Sequence, residues 1–239
     1  MSSSEQPESN DPVLSAHRDA LEGEHGGLDA ATLDAMFTQV EAVNHRNDAG
    51  IVGWLRTRST ASRQLMLLGA AALLAGLTAL TGLRANLHEL SSGYFGGALA
   101  VFAVGLVAAT LLALRPLHQR ALGAAMERLV AGTVLFGLLL VAAFSPAVVT
   151  DAGGNLFAGA VHCALLGTAM ALPVLLVARL LDRGSLSGPL MSAVAAGVAA
   201  NLTLMLRCPS TDPAHCVAGH FGVALLLVGL MGVLRRFSR

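Results

Sequence analysis

The chain has 239 residues, 54% of them hydrophobic and only 13% charged, with a mean hydropathy of +0.66. Soluble domains carry about 25% charged residues, so this composition excludes an ordinary soluble enzyme or binding domain. Residues 1–50 hold ten acidic residues and two arginines, a net charge of −8, and residues 51–239 carry +8. This asymmetry predicts an acidic tail that has its own partner or one that only solvates the chain.

Two segments are predicted before the first apolar block. Residues 1–28 form an acidic tail, and their polar composition predicts disorder. From Asp29 an amphipathic helix is predicted, because apolar residues recur at helical spacing while Asp34 and Glu41 fall on the opposite face. The apolar residues, our candidates for partner binding, are Leu33, Met36, Phe37, Val40 and Val43. An acidic polar face disfavours a membrane surface, so residues 29–62 are interpreted as a cytoplasmic segment that docks onto a protein partner, or else onto the loops of its own bundle.

Six apolar blocks follow, each within the range of about 17–25 residues that crosses a bilayer as a helix. They cover residues 65–83, 94–114, 129–149, 158–178, 190–206 and 214–234. The first block begins too late for a cleaved secretory signal, so it is predicted to be an uncleaved anchor. The predicted fold class is therefore all-α: a polytopic membrane bundle of six transmembrane helices over residues 63–239.

Arginines near the ends of the spans predict the orientation of this bundle. Eleven flank the spans on one side and two on the other. Because cytoplasmic loops retain an excess of positive charge, both termini are predicted to be cytoplasmic, in agreement with an even number of spans.

Titratable residues gather near one end of the last three spans, on the side predicted to be extracytoplasmic. The candidates for signal sensing are His162, Cys163, Cys208, His215, Cys216 and His220. Three interpretations stay open: a metal site, oxidisable side chains, or a polar layer that holds the helices together. Residues five apart on a regular α-helix are offset by about 140°, so His215 and His220 are predicted not to share a face. No metal ligand and no cofactor is assigned.

Nothing in the sequence indicates catalysis. A phosphate-binding glycine loop, a CxxC pair and an HExxH motif are all missing from the sequence. A nucleophilic serine needs an activating base within reach, and neither Ser145 nor Ser192 has such a context. Transporters often place a charged residue near the midplane of the bilayer, and no span has a carboxylate there. The sequence predicts a protein that is not an enzyme.

The Arg207-Cys208-Pro209 turn, followed by Gly219-His220 in a final span, resembles the NrsF-type membrane anti-sigma factors of bacteria. The resemblance covers residues 65–239 by architecture, and its specific motif lies within residues 206–222. It implies an inner-membrane protein whose cytoplasmic N-terminus holds an extracytoplasmic-function (ECF) sigma factor, with no direct contact to nucleic acid. The chain also resembles light-responsive regulators of carotenoid synthesis in its layout, which implies photosensitised oxidation as the signal. Its N-terminal segment is longer and more acidic than is typical and lacks a His-x3-Cys-x2-Cys zinc motif.

Two functions of different classes follow from the sequence. The first is a membrane-bound anti-sigma factor that represses transcription by sequestering an ECF sigma factor. The alternative is a small metal-handling or transporter-type inner-membrane protein that uses the histidines and cysteines. Membrane lipid is a partner in both, and the sequence does not specify an oligomeric state.

Overall fold

The computed structural model describes residue 34 and residues 50–116, 123–146, 156–183 and 188–237. The chain divides into two units, Met1–Ala49 and Gly50–Arg239, and the helices described below belong to the second. The predicted partner-binding residues Leu33, Met36, Phe37, Val40 and Val43 lie outside the described residues, so their role stays a prediction.

The second unit consists of helices. They are α1 (Gly50–Thr57), α2 (Thr60–Thr81), α3 (Ser92–Ala113), α4 (Ala124–Ala143), α5 (Leu156–Leu181), α6 (Gly188–Arg207) and α7, which comprises Pro213–His215, a π-helical turn at Cys216–Phe221, and Gly222–Phe237. A single 3₁₀ turn, Leu87–Glu89, lies between α2 and α3. Side chains cap three of the spans, since Ser59, Ser91 and Asp212 each accept a hydrogen bond from a backbone amide in the first turn.

Within the described residues, six helices are long and apolar enough to cross a membrane, namely α2 to α7. This confirms the prediction of an all-α polytopic bundle. The boundaries differ most in the third span, predicted at 129–149 and observed at Ala124–Ala143. Pro146 explains the early end, because proline cannot continue a helix and disfavours helical geometry in the residue before it. Helix α4 also begins before the predicted block. Its first turn contains Glu127, which is buried although hydropathy excludes it from the apolar block.

Helix α6 is the centre of the bundle and contacts all five other spans. Over an apolar stretch of 18 residues in α6, 78% of the residues are buried, against 17–33% over equal stretches of the other spans. Small side chains make this possible, because Ala, Gly and Ser let neighbouring backbones approach closely. A Cβ added to Gly197 would lie 2.9 Å from the Cβ of Ala224 in α7, which shows how near the two helices come. The outer helices instead expose large apolar residues such as Leu80, Val104 and Leu165, as lipid-facing helices do.

The spans alternate in direction, so the bundle has two ends. We call one the Arg63 end: Arg63 Nη1, near the start of α2, donates to the carbonyl of Leu181 at the end of α5 over 2.9 Å. We call the other the Cys208 end: the amide of Arg84, just after α2, donates to the carbonyl of Leu206 over 2.9 Å.

The short helix α1 is tied to the Arg63 end. Arg56 Nε donates to the carbonyl of Leu180 in α5 over 3.4 Å, and Arg183, just after α5, donates back to the carbonyls of Arg56 and Arg58. The guanidinium of Arg58 lies 3.9 Å from the ring centre of Trp54. Tryptophan beside arginine is typical of a membrane interface.

The orientation of the bundle leads to a first prediction. Reporter fusions at residues 86, 153 and 211 are expected to read as extracytoplasmic, because the sequence predicts that the arginine-poor loops lie on the side away from the cytoplasm. Fusions at residues 118 and 185 serve as cytoplasmic controls. A cytoplasmic reading at any of the first three positions, measured with paired phosphatase and fluorescent-protein reporters, contradicts both the topology and the placement of the Cys208 end.

Candidate functional site

Four of the six predicted sensing residues meet in one buried cluster at the Cys208 end. We call these residues, Cys163, Cys208, His215 and His220, the Cys/His cluster. One ligand atom from each side chain lies within 4.8 Å of those of the other three. The sulfurs of Cys163 and Cys208 are 3.3 Å apart, and Cys208 Sγ lies 3.4 Å from Nε2 of His215. All four residues are at most 7% exposed.

The π-helical turn at Cys216–Phe221 brings the two histidines together. The prediction that His215 and His220 do not share a face was wrong, because it assumed a regular α-helix. In a π turn hydrogen bonds run from residue i to i+5, which stacks residues five apart, and such turns occur frequently at functional sites. The two rings are 5.6 Å apart between centroids and nearly perpendicular.

Two glycines, Gly159 in α5 and Gly219 in α7, lie beside the cluster where these helices meet. A Cβ added to Gly219 would lie 3.0 Å from the carbonyl oxygen of Ala160 and 3.3 Å from the Cβ of Cys163. A Cβ added to Gly159 would lie 3.4 Å from the ring of His215. A side chain at Gly219 would need the backbone of α5 to shift, so the cluster depends on this glycine, whereas a Cβ at Gly159 would make an ordinary van der Waals contact with His215.

The remaining two predicted sensing residues lie outside the cluster. His162 is exposed on the outer surface of α5, although it precedes Cys163 in sequence. Cys216 is buried, and its sulfur lies 3.8 Å from the carbonyl oxygen of Ser210. It lines a small cavity beside the cluster together with Arg84, Tyr94, Ser145, Asn201 and His220, and apolar side chains such as Phe102 and Met205 line the cavity as well. The three cysteines are free thiols.

A buried polar clamp holds the Cys208-Pro209 turn, and sequence analysis missed it. Arg84 Nη2 and Asn86 Nδ2 each donate to the carbonyl of Pro209 over 3.0 Å, and Arg84 Nε donates to Asn86 Oδ1 over 2.9 Å. Burial lowers the pKa of Arg84 from its ordinary value. In the sequence this clamp could have been suspected from Arg84, because it is the single arginine in a loop assigned to the arginine-poor side.

The environment of Cys208 favours its thiolate. The hydrogen bond from the Cys163 thiol lowers the pKa of Cys208, and the neighbouring His220 lowers it further, against an opposing effect of burial. Thiolates are the reactive and metal-binding form of cysteine. The cluster therefore has chemistry available for binding a soft or borderline metal ion, for oxidation, or for pairing of the two sulfurs.

The sequence matches no model of a known protein family, and comparisons with curated proteins and with solved structures found none similar to it.

Proposed function

We propose that this chain is a membrane-bound anti-sigma factor of a bacterial inner membrane, which sequesters an ECF sigma factor through its N-terminal segment. The single observation that carries the proposal is that one helix, α5, joins the Cys/His cluster at one end of the bundle to α1 at the other. The residues next to α1 in sequence are those predicted to bind the partner. This arrangement suits a protein that converts an event at one membrane face into release at the other.

The contacts of α5 support a mechanical link. Cys163 lies in its first turns, and the carbonyls of Leu180 and Leu181 in its last turn accept hydrogen bonds from Arg56 and Arg63. At 1.5 Å per residue, Cys163 and Leu181 are separated by about 27 Å along the helix, close to the thickness of a hydrocarbon core. Pro173 lies between them and removes one backbone hydrogen bond, which gives the helix a place to bend.

A change in the cluster can act at the far end only by shifting a two-state equilibrium of the bundle. Two discrete positions of α5 would supply those states. In one, the hydrogen bonds of Arg56 and Arg183 hold α1 against α5, the bond of Arg63 holds the start of α2 there, and the N-terminal segment keeps the sigma factor. In the other, movement of Cys163 shifts α5, loosens these bonds and favours release.

The second candidate is a metal-handling membrane protein, and the composition of the Cys/His cluster is the observation that favours it. Transport requires a route through the bundle and a site that exchanges its cargo. The cluster instead lies at one end of the bundle, with all four side chains buried and their ligand atoms within 4.8 Å of one another. A metal-handling function would not require residues 1–49, so a chain that lacks them distinguishes the two candidates.

The resemblance to light-responsive regulators extends the proposal to the signal, which we take to be photosensitised oxidation. Histidine, cysteine and methionine are the side chains that singlet oxygen attacks, and the Cys208 end carries the first two at high density. We expect a Cys208→Ser, His220→Ala double variant to lose induction of the sigma-dependent promoter by light, measured as reporter transcription in illuminated and dark cultures. Repression depends, in this proposal, on the N-terminal segment and is expected to persist.

The matched control is a Cys216→Ser, His162→Ala double variant, which removes the same two residue types outside the cluster. It is expected to respond to light as the unmodified protein does. Equal membrane levels of both variants must be established by immunoblot. Full light induction in the Cys208→Ser, His220→Ala variant would leave the cluster with a purely structural role.

A further inference from the structure

We infer that Cys163, Cys208, His215 and His220 form a binding site for one Zn²⁺ ion at the Cys208 end of the bundle. The inference stands on the geometry of this cluster and does not rest on the sigma-factor proposal. The ligands come from three places in the chain: α5, the turn after α6, and the π-helical turn region of α7. An ion held there would fasten these elements to one another.

The separations within the cluster are near those of a tetrahedral metal site. With zinc–sulfur bonds of about 2.3 Å and zinc–nitrogen bonds of about 2.0 Å, neighbouring ligand atoms lie about 3.3–3.8 Å apart. The two sulfurs are 3.3 Å apart, and Cys208 Sγ is 3.4 Å from His215 Nε2. To close the site, the two sulfurs would separate by about 0.5 Å, and since no pair of ligand atoms exceeds 4.8 Å, the remaining pairs would contract by about 1.5 Å at most.

An unpartnered donor or acceptor points independently to a ligand. Nε2 of His220 is buried and has no hydrogen-bond partner, although the residue is 7% exposed. A buried polar atom without a hydrogen-bond partner destabilises the folded state. A metal ion in the cluster accepts the lone pair of an imidazole nitrogen, so coordination through Nε2 would give this atom the partner that it lacks. The π-helical turn would then serve to align His220 with His215 around the same ion.

Charge and ligand type favour Zn²⁺ among the common ions. Two thiolates and two neutral imidazoles around Zn²⁺ give a site with no net charge, which avoids placing an uncompensated charge in the bundle. Thiolate and imidazole ligands in a tetrahedral set are typical of zinc, whereas Mg²⁺ and Ca²⁺ require oxygen ligands. Four protein ligands leave no open position, which is typical of a structural or regulatory zinc site and not of a catalytic one.

Direct pairing of the two thiols is the competing chemistry. A disulfide requires a sulfur–sulfur distance of about 2.05 Å, so the observed 3.3 Å contact would have to shorten substantially. In a disulfide both sulfurs would be bonded to each other. The ion would then lose its two thiolate ligands, and only the two histidines would remain. The two states are therefore mutually exclusive, and a count of free thiols separates them.

The test uses the full chain, purified in detergent under reducing conditions and freed of metal with a chelator. Zn²⁺ is titrated against a chromophoric competitor, and Co²⁺ is added as a spectroscopic probe of the same site. We expect one equivalent of Zn²⁺ per chain, and a Co²⁺ complex with the intense visible absorption of a tetrahedral site and thiolate-to-cobalt charge transfer. Zn²⁺ is expected to displace the Co²⁺ and abolish this spectrum.

Two pairs of variants locate the site. Cys208→Ser and His220→Gln each remove one ligand, and each is expected to weaken Zn²⁺ binding by more than about 100-fold, because changes outside the ligand set alone cost 10–100-fold. Cys216→Ser and His162→Gln are the matched controls and are expected to bind as the unmodified chain does. If one ligand variant fails to fold in detergent, the other still decides the outcome.

Three results would overturn the inference. The first is the absence of stoichiometric Zn²⁺ binding by a chain whose three thiols are all free. The second is binding that survives both ligand substitutions or is lost equally in the controls. The third is binding of Cu⁺ without measurable binding of Zn²⁺, which would contradict the assignment of the ion. None of these measurements involves the sigma factor, so a failure here is distinguishable from a failure of the proposed function.

Discussion

Deleting residues 1–49 is expected to switch the sigma-dependent promoter from repressed to fully active. All five residues predicted to bind the sigma factor lie in this segment, and the deletion ends just before α1, so helices α1 to α7 remain complete. Transcription from the target promoter, compared with a strain that lacks the whole protein, is the measurement. The two strains should give equal transcription, and the truncated chain should still be found in the membrane.

A point substitution tests the same segment without removing it. Phe37→Asp places a charge in the centre of the predicted apolar stripe, and loss of an aromatic anchor at the centre of an interface typically costs about 2 kcal/mol or more. That corresponds to at least about 30-fold weaker binding of the sigma factor. Thr38→Asp is the matched control, because it introduces the same charge at the neighbouring position, off the stripe of a regular helix.

Continued repression by the truncated chain would refute the proposed function. The N-terminus would then be a solvating tail, and the metal-handling candidate would become the better one. Equal loss of repression in Phe37→Asp and Thr38→Asp would show that any added charge disturbs the segment. In that case binding would not depend on one apolar face.

The membrane bundle could be predicted from the sequence because one strong physical effect determines it. Apolar stretches of bilayer length must form helices in lipid, where an unpaired backbone amide or carbonyl is costly. All six predicted blocks overlap an observed span. The 129–149 block was misplaced because hydropathy weights Ala147, Val148 and Val149 as apolar, while Pro146 ends helical geometry locally.

The residues of the cluster could be predicted from the sequence, but the approach of its two histidines could not, because local helix geometry determines it. Residue type and position identified Cys163, Cys208, His215 and His220 as candidates, since all lie near the same ends of their spans. What sequence periodicity missed was the π-helical turn, because an α-helical wheel places His215 and His220 on different faces. The helix adopts this turn where Gly219 lets it pass within contact distance of α5, which is a tertiary constraint that no local pattern contains.

The closeness of α6 and α7 leads to the prediction with the largest expected effect on stability. A Cβ at Gly197 would lie 2.9 Å from the Cβ and 3.0 Å from the Cα of Ala224. The Cα belongs to the backbone and cannot rotate aside, so a side chain at Gly197 must push the two helices apart. At Gly167, by contrast, the nearest atom is the mobile Leu204 Cδ1, at 2.7 Å.

We therefore expect Gly197→Leu to lower the free energy of unfolding in detergent by about 3 kcal/mol, the upper part of the usual range for overpacking. Gly229→Leu is the matched control: no atom lies within 4 Å of a Cβ there, and leucine has the higher helix propensity, so this variant is expected to be neutral or slightly stabilised. Both are measured by equilibrium unfolding in mixed micelles. Because Ala224 lies one helical turn beyond His220, separation of α6 and α7 at this level also moves a cluster residue. Equal stability of the two variants would mean that α6 and α7 do not approach as closely as the Gly197–Ala224 contact requires.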